Sequence, residues 1–201
     1  FTKSYVGGGS YTYDGNGLVT IIETESLEDP QNSESDIIKT RSSFSYVTAS
    51  GSKIFGALLS ATDENSVTTR YFYDESNGRL IATVNSDSNT GMYYEYNEKG
   101  ELCSVKPATY SETNGYTVTD NAENVVYTYD AQNRLSKIST ESTEYLFSYD
   151  SYGNSSEIKV GTTTLATYEY YPNNGKLKKI IYGNGFEVEY VYNRLEMLSE
   201  I

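Results

Sequence analysis

The chain has 201 residues, and its 28 acidic against 15 basic side chains give a formal charge of −13, which repels phosphate backbones and anionic lipid and disfavours both as partners. With no His and only Cys103, an internal disulfide, the common zinc sites and a His-based catalytic triad are excluded. No apolar run approaches the eighteen or so residues of a membrane helix, and mean hydropathy is −0.57, so membrane insertion is not expected.

This length suits one large domain or a short repeat array. The aromatic complement is 22 Tyr, 6 Phe and no Trp, which favours strands and amphipathic faces because the ring packs while the hydroxyl stays hydrated. Starting at Phe1 with no basic-then-apolar leader, the chain reads as a fragment of a longer protein.

In the N-terminal third, Tyr11-Thr12-Tyr13-Asp14-Gly15-Asn16-Gly17-Leu18, with Ile21 three beyond, reads as a compressed strand-turn-strand unit. The stretch 23–43 is rich in Glu, Asp and Ser and contains Pro30, so an exposed loop is expected there. Phe44-Ser45-Tyr46 opens a degenerate copy. We therefore set residues 1–66 apart as degenerate N-terminal repeats with an acidic Ser-rich loop at about 23–43, and 67–201 as the regular array.

In the array an aromatic-x-Tyr pair recurs: Tyr71 and Tyr73, Tyr94 and Tyr96, Tyr127 and Tyr129, Phe147 and Tyr149, Tyr168 and Tyr170, Tyr190 and Tyr192. Successive second tyrosines are 23, 33, 20, 21 and 22 residues apart, a unit of about twenty-one with one longer step. That step holds Pro107 and the turn signal Asn114-Gly115, so one more hairpin or an enlarged loop is expected in it. Side chains two apart share one face of a strand. After the second Tyr most copies continue with Asp or Asn, then Gly or Asn, then Leu, as in Tyr96-Asn97…Gly100-Glu101-Leu102 and Tyr129-Asp130…Asn133-Arg134-Leu135. Asp or Asn opens a tight turn through its side-chain acceptor, and Gly or Asn closes it at a positive φ.

Each unit is thus strand, turn, strand, and the fold class is all-β, built of tandem antiparallel hairpins. The returning strand repeats an apolar residue after three positions (Leu102 and Val105, Leu135 and Ile138, Leu177 and Ile180, Leu195 and Leu198), which demands a bulge or twist if both face one core. The last copy runs from Tyr192-Asn193 straight into Arg194-Leu195 without Gly, so its turn must be tighter or rebuilt.

At these residues the sequence resembles the YD-repeat or RHS-repeat family, whose unit is a Tyr-Asp pair followed by Gly-Arg-Leu. Tyr73-Asp74 with Gly78-Arg79-Leu80 is the fullest match; Tyr129-Asp130 with Arg134-Leu135, Tyr149-Asp150 with Gly153, and Tyr170 with Gly175-Lys176-Leu177 follow. The resemblance implies a long strip of β-hairpins spiralling into a hollow shell in a secreted or cell-surface bacterial protein. Such a shell can enclose a toxic C-terminal domain; related arrays occur in wall-associated bacterial proteins and teneurin adhesion receptors. It implies neighbouring repeats and domains, or an enclosed effector, as partners, and no cofactor. The self-cleaving Asp-Pro-x-Gly motif of bacterial shells is missing, since Asp29-Pro30 is followed by Gln31-Asn32, and that activity is not carried over.

Other chemistry is weaker. Lys- or carboxylate-based catalysis has no recognisable motif, and 28 carboxylates read as a solvated surface before they read as glycosidase pairs. Asn85-Ser86-Asp87-Ser88-Asn89-Thr90-Gly91 imitates a calcium loop, but its Gly is one residue late and Tyr96 stands where the bidentate Glu belongs. Asn154-Ser155-Ser156 matches a glycosylation acceptor and reads as the turn after Gly153. Cys103 beside Leu102 reads as a small buried strand residue.

The periodic tyrosines are expected to stack on one another across hairpins as structure. The alternative is a row of exposed Tyr and Asp that binds glycans as an adhesin. The protein is not expected to be an enzyme, and a fragment cut from a strip is expected to self-associate.

Overall fold

The computed structural model describes residues 8–28, 36–119 and 124–201. Among these every regular element is a β-strand and every ladder is antiparallel. The backbone divides into two compact units, Phe1–Tyr94 with Lys106–Ala122, and Glu95–Val105 with Glu123–Ile201.

In the first unit β1 (Gly9–Tyr13), β2 (Val19–Leu27), β3 (Ile37–Tyr46), β4 (Leu58–Thr62), β5 (Thr68–Asp74), β6 (Arg79–Asn85) and β7 (Thr90–Tyr96) pair in chain order. Next comes β8 (Leu102–Ser111), whose far end pairs with β9 (Gly115–Val118). The long 33-residue step therefore contains an extra hairpin, turning just before Gly115 at φ +69°. The acidic loop expected at 23–43 is corrected: β2 runs to Leu27 and β3 starts at Ile37, in unbroken register from Ile21 opposite Ser43 to Leu27 opposite Ile37. Consecutive residues are exposed in this stretch (Glu23 and Thr24, Ile37 and Ile38), so both faces are solvated here and the backbone ladder joins the strands, a pattern the acidic composition concealed. Asp29-Pro30 and Gln31-Asn32 lie outside the described residues.

The best-buried side chains of this unit are Ala82, Val84 and Ala108, with Ile54 close behind. Phe72, the residue between the aromatic pair Tyr71 and Tyr73, faces this core. It stands opposite Ala82, which stands opposite Tyr93, so all three share one side of the sheet. The Phe72 ring lies 6.0 Å from that of Tyr110 and 5.1 Å from that of Tyr116, and Tyr116 stacks on Tyr93 at 5.7 Å. The Arg70 guanidinium sits 4.8 Å above Tyr110. The β8–β9 hairpin thus supplies two of the rings that cover Phe72.

In the second unit β10 (Val125–Tyr129), β11 (Leu135–Ser139), β12 (Glu144–Tyr149), β13 (Ser155–Val160), β14 (Thr163–Tyr170), β15 (Leu177–Tyr182) and β16 (Glu187–Glu189) pair in chain order, and β10 also joins the start of β8. β17 (Val191–Tyr192) and β18 (Leu198–Glu200) form a separate hairpin. Here aromatic pairs face aliphatic ones: Tyr127 and Tyr129 stand opposite Ile138 and Leu135, and Tyr168 and Tyr170 opposite Ile180 and Leu177. The residues between the aromatics are Thr128, Ser148 and Glu169, all exposed. Lys–Glu pairs such as Lys137–Glu144 at 3.0 Å and Lys179–Glu187 at 2.5 Å join neighbouring strands. At this exposure such pairs add little stability.

Several outer strands are unguarded. Among the described residues β1 pairs only with β2, β16 only with β15 and β18 only with β17. Tyr11 and Tyr13 are exposed on β1, and Leu195, Met197, Leu198 and Ile201 around β18. Unpaired edges beside apolar side chains invite pairing with another chain. Self-association is therefore expected, opposed by the −13 charge and strengthened as salt screens it. Sedimentation velocity over protein and salt concentration checks this; a monomer throughout would contradict it.

Candidate functional site

The recurring residues build one device at the end of each hairpin, and it starts with the turn. In the turns opened by Asp14, Asp63, Asn97, Asp130, Asp150 and Asn193, one side-chain oxygen accepts from the backbone N–H groups two and four residues on. For Asp130 these are Gln132 and Arg134, both at 2.9 Å; for Asn97 they are Lys99 and Glu101 at 3.0 Å. The residue three on adopts a positive φ: Gly17, Ser66, Gly100, Asn133, Gly153 and Glu196.

Two sequence expectations are corrected here. Asn193 opens a turn of the same size as the others, with Glu196 at φ +60° where Gly would stand, so Leu195 is a turn residue, 77% exposed. The residue opposite Tyr192 is Leu198. Likewise Val19, not Leu18, stands opposite Tyr13, and Ile22, not Ile21, opposite Tyr11. The Asp63 turn carries no aromatic-x-Tyr signature, because Thr62 precedes it where the repeat places Tyr.

Two turns are longer variants. Around Asp74 the Gly78 N–H donates to the Asp74 carbonyl at 2.7 Å, and Asn77 Oδ1 accepts from the Arg79 N–H. After Tyr170 the Asp place holds Tyr171, and Asn174 Oδ1 caps Lys176 N–H instead, with Gly175 at φ +70°.

The carboxylates of Asp14, Asp74, Asp130 and Asp150 all titrate below the ordinary aspartate range. The leading causes are the bonds from the Leu18 N–H, the Ser76 hydroxyl, the Arg134 N–H and the Asn154 amide, respectively. A group whose pKa is lower folded than unfolded contributes stability that is complete above the ordinary value, about 4, and is lost as pH falls through the lowered one. The chemical denaturation midpoint is therefore expected to hold down to about pH 5 and to drop below about 4. A midpoint that rises on acidification, as relief of the net negative charge alone would produce, would contradict it.

Next to most of these turns the ladder slips, though not at the Asp63 turn, where Thr62 faces Thr68 in unbroken register. The register shifts between Phe72 and Tyr73, Thr128 and Tyr129, Ser148 and Tyr149, Glu169 and Tyr170, and Val191 and Tyr192, the extra residue lying on the returning strand. This bulge is what lets a three-residue apolar spacing face two tyrosines: Leu135 meets Tyr129 and Ile138 meets Tyr127.

At a bulge the ladder is interrupted, and carbonyls there need another donor. The second Tyr of the following hairpin supplies it. Tyr46 Oη donates to the Val19 carbonyl at 2.7 Å, Tyr73 to Leu58 at 3.0 Å, Tyr129 to Leu102 at 2.9 Å, Tyr149 to Leu135 at 2.7 Å and Tyr170 to Ser155 at 2.9 Å. Every acceptor is the first residue of a returning strand. Desolvation raises the pKa of Tyr73, Tyr129 and Tyr170, which keeps these donors protonated. Arg134 adds a further tie, with its Nε 2.7 Å from Asp130 and its guanidinium 4.3 Å above the Tyr149 ring.

The expected stacking of periodic tyrosines on one another is thereby corrected. For Tyr73, Tyr129, Tyr149 and Tyr170 the contact that repeats is a hydroxyl-to-carbonyl bond, because a one-hairpin step places the hydroxyl over the bulge. Ring pairs in the second unit fall instead at Tyr171–Tyr192, edge-on at 6.1 Å, and Tyr182–Phe186.

Of the remaining candidates, the Asn85 loop is a turn in which Asn85 Oδ1 accepts from the Asp87 and Ser88 N–H groups, with Asn89 at φ +52°. Asn154 spends its amide on Asp150 Oδ2 at 3.0 Å. Cys103 is half-buried in β8 and forms no disulfide.

Between the Asp150 turn and the turn after Tyr170 lies a cleft of about 420 Å³, lined by Tyr152, Asn154, Tyr168, Tyr170, Asn173 and Asn174 among others. Tyr152, on its rim, is 86% exposed. The neighbouring turns are tied together, by Lys99 Nζ to Asn133 Oδ1 at 2.6 Å on one side and by Lys176 to Glu196 at 3.3 Å on the other.

These features define a class: open antiparallel β-hairpin arrays with capped, bulged turns locked by tyrosine. No protein-family model matches the chain, and no curated protein matches it. Solved structures do. The Photorhabdus luminescens Tc holotoxin pore with a mutation in TccC3 matches over 92% of this chain and 12% of that one, at 16% identity and a TM-score of 0.50. The TcdB2-TccC3-TEV structure matches over 90% of this chain and 12% of that one, at 16% identity and 0.49. A porin-like protein from Bacteroides uniformis matches over 96% and 86%, at 11% identity and 0.38. The likeness to the holotoxin pore is one of fold, and the chain spans about an eighth of that chain's length.

Proposed function

We propose that this chain is a structural segment of a longer β-hairpin array in a secreted or cell-surface bacterial protein, part of a shell that scaffolds or encloses another domain, with no catalysis of its own. The observation that carries the reading is the use of the recurrent side chains. Asp and Asn cap their own turns, Tyr donates to the preceding hairpin, and Leu stands opposite Tyr, so the signature is spent on joining each hairpin to the next. A hairpin built this way is incomplete without a neighbour. The fold likeness to a Tc holotoxin component supports the reading.

Limited proteolysis of the full-length parent protein tests it. The domain adjoining the array is expected to resist digestion while the array is folded and to be cut once it is denatured. Digestion as fast as that of the isolated domain would overturn the enclosure reading. A second reading, a surface that binds glycans, is favoured by one observation, the tyrosine-lined cleft beside Asp150.

A further inference from the structure

We propose that the cleft between the Asp150 turn and the turn after Tyr170 is a binding site for a neutral saccharide; this rests on the second reading above and is independent of the shell. Three observations converge.

The first is aromatic surface open to the cleft. Tyr152 is a turn residue, 86% exposed, and the same cleft is lined by Tyr168 and Tyr170, which also pack within the sheet. Aromatic faces of this kind receive the C–H faces of a pyranose, an apolar surface rimmed with hydroxyls.

The second is polar chemistry of both signs at the same place. The Oη atoms of Tyr152 and Tyr168 and the side-chain amide of Asn173 enter no hydrogen bond with other described residues, and Asn174 uses only its Oδ1, on Lys176 N–H. Donors and acceptors together match hydroxyls, which are both. A proline-rich peptide, the other ligand of tyrosine grooves, offers only carbonyl acceptors over the same length.

The third is charge. The lining has no cation and contains Asp150, so acidic sugars and phosphates are disfavoured. The volume of about 420 Å³ falls in the range of small-molecule sites. Where adjacent turns are bridged by Lys99 or Lys176, this pair leaves its gap open.

The test is ¹H–¹⁵N NMR titration of the 201-residue chain with cellotetraose, maltotetraose and chitotetraose, and separately with a proline-rich decapeptide. Saturable shifts of the Asn154, Asn173 and Asn174 side-chain amides are expected with at least one saccharide, at concentrations up to about 10 mM, where even a millimolar site fills. Tyr152→Ala is expected to weaken that binding roughly three- to tenfold with the backbone spectrum otherwise unchanged. No saturable shift with any of the three, binding indifferent to Tyr152→Ala, or saturation by the peptide alone would overturn the proposal. Each of these outcomes leaves the protease protection of the parent protein as it is, so the two readings fail separately.

Discussion

Replacing Tyr129 by Ala is expected to cost about 2 to 3 kcal/mol of stability, somewhat below the cost for a fully buried aromatic because the ring is half-buried. Two contributions combine: the ring's packing opposite Leu135, and the hydroxyl bond to Leu102, whose carbonyl would lose its donor. Tyr129→Phe separates them, removing only the hydroxyl for about 0.5 to 1.5 kcal/mol. Tyr152→Ala, at a site 86% exposed, is expected to change stability by less than about 0.5 kcal/mol. Urea denaturation of the three variants decides. Equal losses at Tyr129 and Tyr152 would show that the periodic tyrosines do not hold the hairpins together.

Gly91→Ala is expected to cost about 3 kcal/mol, at the upper end for overpacking. A Cβ at Gly91 would lie 1.9 Å from the Thr83 carbonyl oxygen and 2.8 Å from the Val84 Cα, both backbone atoms that only separation of β6 from β7 could move. Val84, directly opposite Gly91, is nearly fully buried, so that separation opens the core of the first unit. Gly183, whose Cβ would meet the Thr164 carbonyl oxygen at 2.0 Å, should behave similarly in the second unit. Gly15→Ala is the control: nothing lies within 4 Å of its Cβ position, and a change under about 0.5 kcal/mol is expected. Thermal melts of these variants check the contrast, and a Gly91→Ala protein as stable as Gly15→Ala would contradict the close strand approach.

The all-β class and the hairpin period could be read from the sequence because both are local. Asp or Asn followed by Gly fixes a turn within five residues, and paired aromatics two apart fix a strand face. The Leu-to-Ile spacing of three likewise announced a bulge. What depended on geometry between hairpins was less legible. That Tyr129 would reach the Leu102 carbonyl follows from the offset of two adjacent hairpins, which no spacing within one hairpin records.

Phe72 was hidden for a related reason. It lies between Tyr71 and Tyr73 and faces the other side of the sheet, where its covering rings come from the extra β8–β9 hairpin. Acidic composition masked the strands on either side of residues 29–35, since charge says how a face is solvated and not whether the backbone is paired. Glu196 took the place of Gly because a non-glycine residue can adopt a positive φ where the turn's hydrogen bonds offset the strain. The Asp150 cleft was anticipated only as exposed Tyr and Asp in general, since its walls come from two separate turns.

The central claim is that the repeats at Tyr73, Tyr129, Tyr149, Tyr170 and Tyr192 slip the ladder by one residue just before the second Tyr, and that the carbonyl left at such a slip accepts from the next hairpin, as Leu135 does from Tyr149 and Ser155 from Tyr170. Cross-strand nuclear Overhauser contacts in β12–β13 test it most directly. Tyr149 is expected to face Ser155 while Phe147 faces Ile158. The Tyr149 hydroxyl proton is expected to exchange slowly, from its bond to Leu135. A uniform register, in which Phe147 faces Glu157, together with a freely exchanging Tyr149 hydroxyl, would contradict it.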